Sequence, residues 1–349
     1  MILGMRASPL PENDRVWVAR PHMRSPCQRE RAGVSVDIHK PIAVANPPQI
    51  CDATGMTRQA WLNGVFIAAE EAKISPFDRG FLFADGVYEV SAVYNGQLID
   101  MGRHLDRLER SLRELKFGTM PDRKELEDVH RKLVELNGID EGYVYLQVTR
   151  GAYGARDFVA PDAPRLTIFM FAEKRALIDT PSARSGSKIV TLPDIRWARR
   201  DIKSVGLLAQ ALAKTEAKAR GADDAWLVAP DGFVTEGASS NAWIVTKDGE
   251  IITRALSNMI LAGVTRHALF DSLGQKGIKL TERNFTVEEA RNAAEAFTTA
   301  ATGLVTPVVE IDGVKLGDGK PGKTTRMIQK AYYTAIGADV AKAAPWVEG

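Results

Sequence analysis

One lysine of this chain stands where its side chain could act as a nucleophile. The segment 194–204, written DIRWARRDIKS, leads directly into an apolar stretch that starts at Val205, so Lys203 is expected just before the N-terminus of a helix over about 205–220. The positive end of the helix dipole and partial burial both disfavour an ammonium ion at such a position. A neutral amine there is a candidate Schiff-base nucleophile, and a solvated lysine at the end of a loop is the alternative interpretation.

Other catalytic and metal sites are disfavoured by residue type and spacing. After residue 55 the chain has three histidines, His104, His130 and His267. No two of them are four residues apart, so a histidine metal site is not expected. Ser239 and Ser240 lie in the segment EGASSN, which lacks the Gly-x-Ser-x-Gly turn of a serine nucleophile. Because Cys27 and Cys51 are the only cysteines, thiol catalysis and cysteine-ligated zinc are excluded beyond residue 55.

A segment near the C-terminus matches the phosphate loop of nucleotide hydrolases. Residues 317–324, GDGKPGKT, satisfy the pattern G-x-x-x-x-G-K-[ST]. A phosphate loop follows a buried strand, but the preceding residues 311–314, IDGV, are typical of a hairpin turn. Only 25 residues follow Thr324, too few for the later strand whose Asp would hold magnesium. We therefore predict a surface turn that leads into a helix capped near Thr324, and reject nucleotide binding.

Composition indicates a globular enzyme-sized protein. The chain has 349 residues, 45% of them hydrophobic and 26% charged. At roughly 100 to 200 residues per domain, this length predicts about two domains. The net charge of +2 makes neither nucleic acid nor an anionic membrane an expected partner. The longest apolar stretches, such as 166–172, are far shorter than the roughly 18 residues that a membrane helix needs.

Residues 1–55 differ from the rest of the chain. They contain both cysteines, seven of the 17 prolines and no sustained hydrophobic period. We interpret them as a disordered leader, or as upstream sequence translated in frame before a natural start at Met56. A targeting peptide is disfavoured, because acidic residues are interspersed and no apolar core region is present. The cysteine-free remainder fits the cytoplasm.

Beyond Met56 the pattern predicts alternating strands and helices. Asn-Gly pairs at 63–64 and 95–96 predict hairpin turns, the first within a strand over 60–67 and the second after a strand over 86–94. Leucine spacing predicts helices from residue 103 and over 124–136, followed by strands over 142–150 and 165–172. The later part predicts strands over 188–191, 225–228 and 241–246. Helices are predicted over 265–273 and 287–294, and after residue 324.

These elements predict an α/β (α+β) chain of two domains. A polar stretch over about 179–187 suggests the connector. We expect a small N-terminal α/β domain over 56–177, a linker over 178–187, and a larger C-terminal domain over 188–349 that carries Lys203.

Seven short motifs then occur in order along some 230 residues. They are FDRG at 77–80, DGVYE at 85–89, HLDRL at 104–108, DIKS at 201–204, DGFVTEGASSN at 231–241, GVTR at 263–266 and TPV at 306–308. In these motifs the chain closely resembles the fold-type IV pyridoxal-phosphate enzymes, the class IV aminotransferases, and most of all the D-amino-acid aminotransferases. The resemblance implies the two-domain fold-type IV architecture. It also implies a homodimer whose active sites lie between the two domains and are completed by the neighbouring subunit.

The resemblance implies a role for each matched residue. A transaminase forms an imine with pyridoxal 5′-phosphate, removes the α-proton, and returns that proton to the C4′ carbon of the cofactor. Lys203 would serve all three steps, first as the Schiff-base lysine and then as the base that carries the proton. Glu236 would pair with the pyridine nitrogen and keep it protonated, with an ordinary surface Glu as the alternative. Arg107 would bind the cofactor phosphate.

Further cofactor contacts follow from the same matching. Val264 and Thr265 open a helix, which offers backbone N–H groups and a hydroxyl to a phosphate. Leu261 would lie against the cofactor ring, with Ser239 and Ser240 near it. Where the D-amino-acid enzymes tend to have paired threonines, this chain has the segment 299–302, TAAT, so we assign the last phosphate contact to Thr302.

Substrate binding is implied by two segments. Tyr88 and Glu89 resemble the D-amino-acid type, since branched-chain enzymes tend to continue as Phe-Glu-Gly-Ile-Arg, whereas aminodeoxychorismate lyases and (R)-amine transaminases tend to have Thr in place of the Glu. The D-amino-acid enzymes hold the substrate carboxylate with a Tyr and with an Arg and a His from the partner's loop. In the corresponding loop, 150–158, Arg156 fits the arginine if one residue is inserted, and Phe158 then stands where the His is expected. We assign Tyr88, Arg156 and Tyr153 to substrate binding.

The expected function is therefore a pyridoxal-phosphate-dependent transamination. The amino donor is a D-amino acid such as D-alanine, the acceptor is a 2-oxo acid such as 2-oxoglutarate, and the reaction runs through a lysine Schiff base and a pyridoxamine intermediate. Branched-chain L-amino acids and primary (R)-amines are the alternative donors. No metal, nucleic acid or membrane is expected to take part.

Overall fold

Two β-sheets, each formed by a continuous part of the sequence, organise the chain. The computed structural model describes residues 58–154, 156–274, 278 and 280–348, and the predicted leader 1–55 lies outside them. Within the described part, no helix is both long and apolar enough to cross a bilayer.

The first sheet is antiparallel and has six strands in the order β2-β1-β6-β5-β3-β4. The strands are β1 (Gln59–Leu62), β2 (Val65–Ala68), β3 (Gly86–Tyr94), β4 (Gln97–Leu98), β5 (Gly142–Thr149) and β6 (Thr167–Lys174). The helices of this part are α1 (Arg79–Phe83), α2 (Met101–Glu114) and α3 (Arg123–Leu136). The leucine faces of α2 and α3 pack into one core with the strands, as the helical spacing predicts.

The Asn-Gly turns are confirmed. Asn63 and Gly64 join β1 to β2, and Asn95 and Gly96 join β3 to β4, all four with positive φ. This is the backbone that a two-residue turn needs between twisted antiparallel strands. The register of β3, which carries Tyr88, is thereby fixed at its far end.

The second sheet is mixed and has nine strands. Its order is β12-β11-β10-β13-β14-β7-β8-β9, with β15 paired to β14. The strands are β7 (Ser187–Pro193), β8 (Asp224–Val228), β9 (Val234–Gly237), β10 (Asn241–Val245), β11 (Ile251–Thr253), β12 (Leu280–Glu282), β13 (Glu295–Ala300), β14 (Leu304–Ile311) and β15 (Val314–Lys315). Its helices are α4 (Pro181–Ser185), α5 (Leu208–Ala219), α6 (Val264–Gly274), α7 (Val287–Arg291), α8 (Lys323–Ala335) and α9 (Val340–Ala343).

The predicted start of the helix after Lys203 is wrong. Helix α5 begins at Leu208, not near Val205. The residues between take part in a non-local pairing instead: Ser204 forms a bridge with Val87, and the Val205 N–H donates to the Gly86 carbonyl at 3.0 Å. A backbone paired with a strand cannot also enter a helix. Because the field of a helix terminus falls off within about one turn, the dipole argument for Lys203 is weakened.

The polar segment predicted as a connector contains the short helix α4, whose first turn is capped by the Thr180 hydroxyl.

The segment 317–324 is a turn that leads into α8, as predicted, and the N-cap residue of α8 is Gly322. The backbone N–H groups of Thr324 and Thr325 donate to the carboxylate of Glu295 at 2.9 and 2.7 Å. A side chain of the protein thus fills the position that a nucleotide phosphate would need.

Candidate active site

A cavity of about 320 Å³ lies where β3 and α2 face the second sheet. Nine of the residues assigned from sequence line it: Tyr88, Arg107, Lys203, Glu236, Ser239, Ser240, Leu261, Val264 and Thr265. They come from strands β3 and β9, from helices α2 and α6, and from the loops that precede α5, β10 and α6. The fold therefore gathers into one place residues up to 177 positions apart in sequence.

Lys203 is fixed by its backbone to the first sheet. Its carbonyl accepts from the Tyr88 N–H at 3.0 Å, and the next residue pairs with Val87. Its Nζ lies 4.1 Å from the centroid of the Tyr88 ring. The amine thus stands in the cavity on a backbone that cannot shift without breaking strand-like hydrogen bonds.

Arg107 enters the cavity from α2 as part of a buried ion cluster. Its Nε and Nη2 donate to the two oxygens of Glu89 at 2.8 and 2.7 Å, and its Nη1 donates to the Ala262 carbonyl at 2.9 Å. His104 Nδ1 lies 2.8 Å from the same carboxylate. Burial alone would raise the pKa of Glu89, but Arg107 and His104 outweigh it and lower the pKa to about 2. Glu89 is therefore a permanent anion that orients Arg107 and leaves two guanidinium N–H groups for a ligand.

The first turn of α6 faces the same region. In the described part of the chain, nothing accepts from the backbone N–H groups of Val264, Thr265 and Arg266, while the next amide already bonds within the helix. Gly263 precedes them, and a Cβ there would collide with the amide of Asn241. The first turn of α6 therefore packs closely against Asn241, and its free backbone N–H groups lie beside Arg107. Such an arrangement is suited to a phosphate.

Glu236 is buried near the end of β9 and also lines the cavity. Its Oε1 accepts from Arg196 Nη1 at 2.5 Å, its Oε2 accepts from Asn241 Nδ2 at 2.9 Å, and the Leu261 N–H lies 3.1 to 3.2 Å from both. Burial raises the pKa of Glu236, and Arg196 is the strongest opposing influence. Such a carboxylate can pair with a cationic ligand group that brings a proton of its own.

Three assigned residues do not line this cavity. Thr302 lies in the turn after β13, whereas its neighbours Ala300 and Ala301 do reach the lining. The Tyr153 hydroxyl accepts from the backbone N–H of Arg165 at 2.9 Å. The Arg156 guanidinium lies 5.0 Å from the ring centroid of Phe83 and 4.9 Å from that of Phe158. The roles assigned to these three residues are therefore not supported by the cavity lining of a single chain.

Hydrogen bonds from Arg79 hold the loop that carries Arg156. Arg79 donates to the carbonyls of Asp157 at 2.6 Å and Phe158 at 3.1 Å, and its Nε is held by Asp85 at 2.8 Å. Arg150 is bound to the same Asp85 at 3.0 Å and to two backbone carbonyls. Arg150 is therefore committed to this network and does not line the cavity.

Sequence reasoning assigned no role to several polar residues of the cavity. They are His104, Arg196, Arg200, Gln210, Lys214, Asn241 and Thr299. Arg196 stands seven residues before Lys203 and Asn241 five after Glu236, inside segments that had been singled out for their neighbours. Only the structure shows that both donate to Glu236.

Comparisons with known proteins agree with this geometry. Residues 86–311 match the family described as amino-transferase class IV. The chain is 39% identical to the D-alanine aminotransferase of Staphylococcus haemolyticus over 281 residues, which are 80% of this chain and 98% of that protein. It is 37% identical to the D-alanine aminotransferase of Listeria monocytogenes, covering 79% of this chain and 95% of the other.

Solved structures show the same fold. A branched-chain amino acid aminotransferase with bound pyridoxamine 5′-phosphate superposes with a TM-score of 0.74 at 26% identity, covering 83% of this chain and 98% of that one. The branched-chain aminotransferase of Thermoproteus uzoniensis superposes with a TM-score of 0.72 at 27% identity, with the same coverage of both chains. The cavity of this chain thus occurs in a fold for which a bound pyridoxamine cofactor has been observed.

Proposed function

This chain belongs to the class IV aminotransferases, and we propose that it transfers the amino group of a D-amino acid such as D-alanine to a 2-oxo acid such as 2-oxoglutarate. The observation that carries the choice of donor is the similarity to D-alanine aminotransferases at 37–39% identity over 95–98% of their length. Branched-chain L-amino acids remain the second candidate because the branched-chain enzyme of Thermoproteus uzoniensis has the same fold at 27% identity. A primary (R)-amine is the third, from sequence alone.

The cofactor of this class is pyridoxal 5′-phosphate, and the cavity offers what it requires. When bound, the cofactor supplies an aldehyde that condenses with amines and a ring that accepts the electron pair left by a departing proton. Arg107 and the free N–H groups of Val264 and Thr265 would hold the phosphate. Glu236 would hold the ring nitrogen, and Leu261 would lie against the ring. The buried Ser240 hydroxyl, which has no partner among the described residues, is a further donor beside it.

Lys203 is the residue that we assign to proton transfer. Its Nζ would take the α-proton of the substrate and return a proton on the same face, because its backbone is held to β3. The Tyr88 ring lies over that amine and lines the same cavity, and we assign its hydroxyl to the substrate carboxylate. Within the cavity of one protomer, Lys203 is thus the acid and base and Tyr88 a positioning group.

We also propose that the chain is a homodimer with shared sites. Arg156 and Tyr153 do not line the cavity of their own protomer, and hydrogen bonds from Arg79 and to Tyr153 hold the loop on which they lie. Large apolar side chains are exposed on nearby elements: Phe81, Phe158, Val159, Ile195, Leu208 and Leu212. Burying such a surface against a second copy would stabilise the dimer and place Arg156 in the partner's site.

The division into domains over 56–177 and 188–349 and a cytoplasmic location are further proposals. The division is supported by the two sheets, since the first uses residues 59–174 and the second residues 187–315. The location is supported only by the absence of cysteine from residues 56–349 of the sequence.

The test is the visible absorption spectrum of the purified protein before and after addition of one amino donor without a keto acid. D-alanine, L-leucine and an (R)-arylalkylamine are compared at equal concentration. We expect a visible band that D-alanine bleaches fastest and that the Lys203→Ala variant lacks. Faster bleaching by L-leucine or the amine would reassign the donor, and failure of the intact chain to take up pyridoxal phosphate would refute the function.

A further inference from the structure

The carboxylate of Glu236 accepts hydrogen bonds from several donors of the protein itself. Arg196 Nη1, Asn241 Nδ2 and the Leu261 N–H all donate to it. The Leu261 N–H lies 3.1 to 3.2 Å from both oxygens, so these three donors make four contacts with a carboxylate that offers about four acceptor positions. The internal donors therefore fix the orientation of the carboxylate, and a cationic ligand group must approach it between them.

Arg196 is the one charged donor in this set, and it is held on its other side. Its Nε and Nη2 donate to the two oxygens of Asp194 at 3.0 and 2.8 Å, while its Nη1 donates to Glu236 at 2.5 Å. The guanidinium is thus a rigid bridge between two buried carboxylates. A lysine could not span both, because it lacks the planar fork.

Asp194 is itself fixed. It accepts from the Thr235 hydroxyl at 2.8 Å, and Arg200 Nε lies 3.0 Å away. Burial would raise the pKa of Asp194, but its hydrogen bond and ion pair with Arg196 lower the pKa to about 2. Asp194 is therefore an anion at every working pH and holds Arg196 in one orientation.

We propose that Arg196, held by Asp194, is a positioning residue that fixes the orientation of the Glu236 carboxylate toward the protonated ring nitrogen of the cofactor. This inference rests on the proposed function, because it assumes that Glu236 faces the ring nitrogen. Arg196 acts through Glu236.

The charges around Glu236 support this assignment. Arg196 and Asp194 face it from the segment after β7, Arg107 interacts with it from α2, and Arg254 from the segment after β11. Of these, Arg196 opposes most strongly the burial that raises the pKa of Glu236. Without Arg196 the carboxyl would take up a proton more readily and would lose its attraction for a cationic ring.

The experiment is a double-mutant cycle on cofactor binding. The protein is stripped of cofactor and titrated with pyridoxal phosphate, and the dissociation constant is read from the visible band. The variants are Arg196→Met, Glu236→Gln and the double variant, with Arg196→Lys as the conservative change. The control is Arg326→Met in α8, which removes an arginine that donates to the carbonyls of Ala183 and Arg184 and to Gln329 and does not line the cavity. Urea unfolding of every variant separates loss of folding from loss of binding.

We expect Arg196→Met to weaken binding about tenfold to a hundredfold, the range for losing a charge-assisted hydrogen bond at a buried site. In the Glu236→Gln background the same change should weaken binding by less than about twofold, because a residue that acts through Glu236 is silent without it. Arg196→Lys should fall between, and Arg326→Met should lower stability without changing the dissociation constant.

Four results would contradict the inference or the proposed function. Full additivity of the two changes, or an Arg196→Met variant that binds like the original chain, would overturn the inference. Equal weakening by Arg326→Met would overturn it too, since the effect would then be structural. If the unaltered chain shows no band with pyridoxal phosphate, the proposed function fails first, and the inference fails with it.

Discussion

The Tyr88 N–H donates to the carbonyl of Lys203 at 3.0 Å, while the Lys203 amine lies 4.1 Å from the centre of the Tyr88 ring. One residue of the first sheet thus fixes both the backbone and the side chain of the proposed catalytic lysine. The two contacts use different parts of Tyr88, so substitutions can separate them.

Tyr88→Phe keeps the ring over Lys203 and removes only the hydroxyl. We expect kcat to stay within about threefold and KM for D-alanine to rise, since uniform binding is lost without loss of the chemical step. Tyr88→Leu removes the ring as well, and kcat should fall by at least about tenfold. Steady-state kinetics of both variants checks this, and an equal fall of kcat in both would show that the ring has no separate role.

Arg107→Met should damage folding as well as cofactor binding. It leaves Glu89 buried without its main partner, which costs about 3 to 5 kcal/mol of unfolding free energy. Adding Glu89→Gln should restore part of this stability, because the unpaired charge is removed, but should not restore cofactor binding. Urea unfolding and cofactor titration measure the two effects. The control is Arg113→Met. Arg113 is an exposed arginine of the same helix α2, and its guanidinium lies 3.7 Å from the surface carboxylate of Glu109.

Arg156 can be tested by mixing inactive subunits. The Lys203→Ala and Arg156→Ala variants are each expected to have little activity with D-alanine. If Arg156 serves the partner's site, dimers exchanged between the two variants contain one intact site, and an equal mixture should recover about a quarter of the original activity. No recovery after proven subunit exchange would place Arg156 in the site of its own protomer or outside both.

The free energy of unfolding should depend on pH through the buried His130. This residue is fully buried in α3, its Nδ1 lies 2.7 Å from the Leu126 carbonyl, and burial lowers its pKa to about 4. The unfolded chain takes up a proton on this histidine near the usual pKa of 6.5. The contribution of His130 to the free energy of unfolding is therefore complete above that pH and is lost as the pH falls from about 6.5 to 4.

The loss from this one group amounts to ~3 kcal/mol. His130→Leu should flatten the decline in the free energy of unfolding, measured in urea at several pH values across that range. An unchanged slope in the variant would assign the decline to other groups.

The parts of the fold that local chemistry dictates were predictable from the sequence. The turns at Asn63 and Asn95 need positive φ, which Asn and Gly tolerate, and the leucines of α2 and α3 repeat at helical spacing. The start of α5 was not predictable, because Ser204 pairs with Val87 across more than a hundred residues. Strand β9 was missed because it is short and ends in Glu236 and Gly237, which are residues atypical of strands.

The candidate site shows the same limit. Motifs located Lys203, Arg107 and Glu236, whose surroundings include short recognisable segments. The partners that hold them, such as Arg196 for Glu236, depend on side-chain directions that no spacing reveals. Thr302 was assigned by analogy with paired threonines, yet the structure brings Ala301 to the cavity in its place.

The carboxylate of Glu295 gives the glycine-rich segment before α8 a tethered ligand of its own. It occupies the N–H groups of Thr324 and Thr325 and also accepts from the Thr325 hydroxyl at 2.7 Å. A tethered group competes at an effective concentration of millimolar or more. A free nucleotide must first displace this carboxylate and then bring its own negative charge beside it. The Glu295 carboxylate therefore blocks phosphate binding at this loop. A match to the phosphate-loop pattern predicts nucleotide binding only when no acidic side chain of the same protein already accepts from these N–H groups.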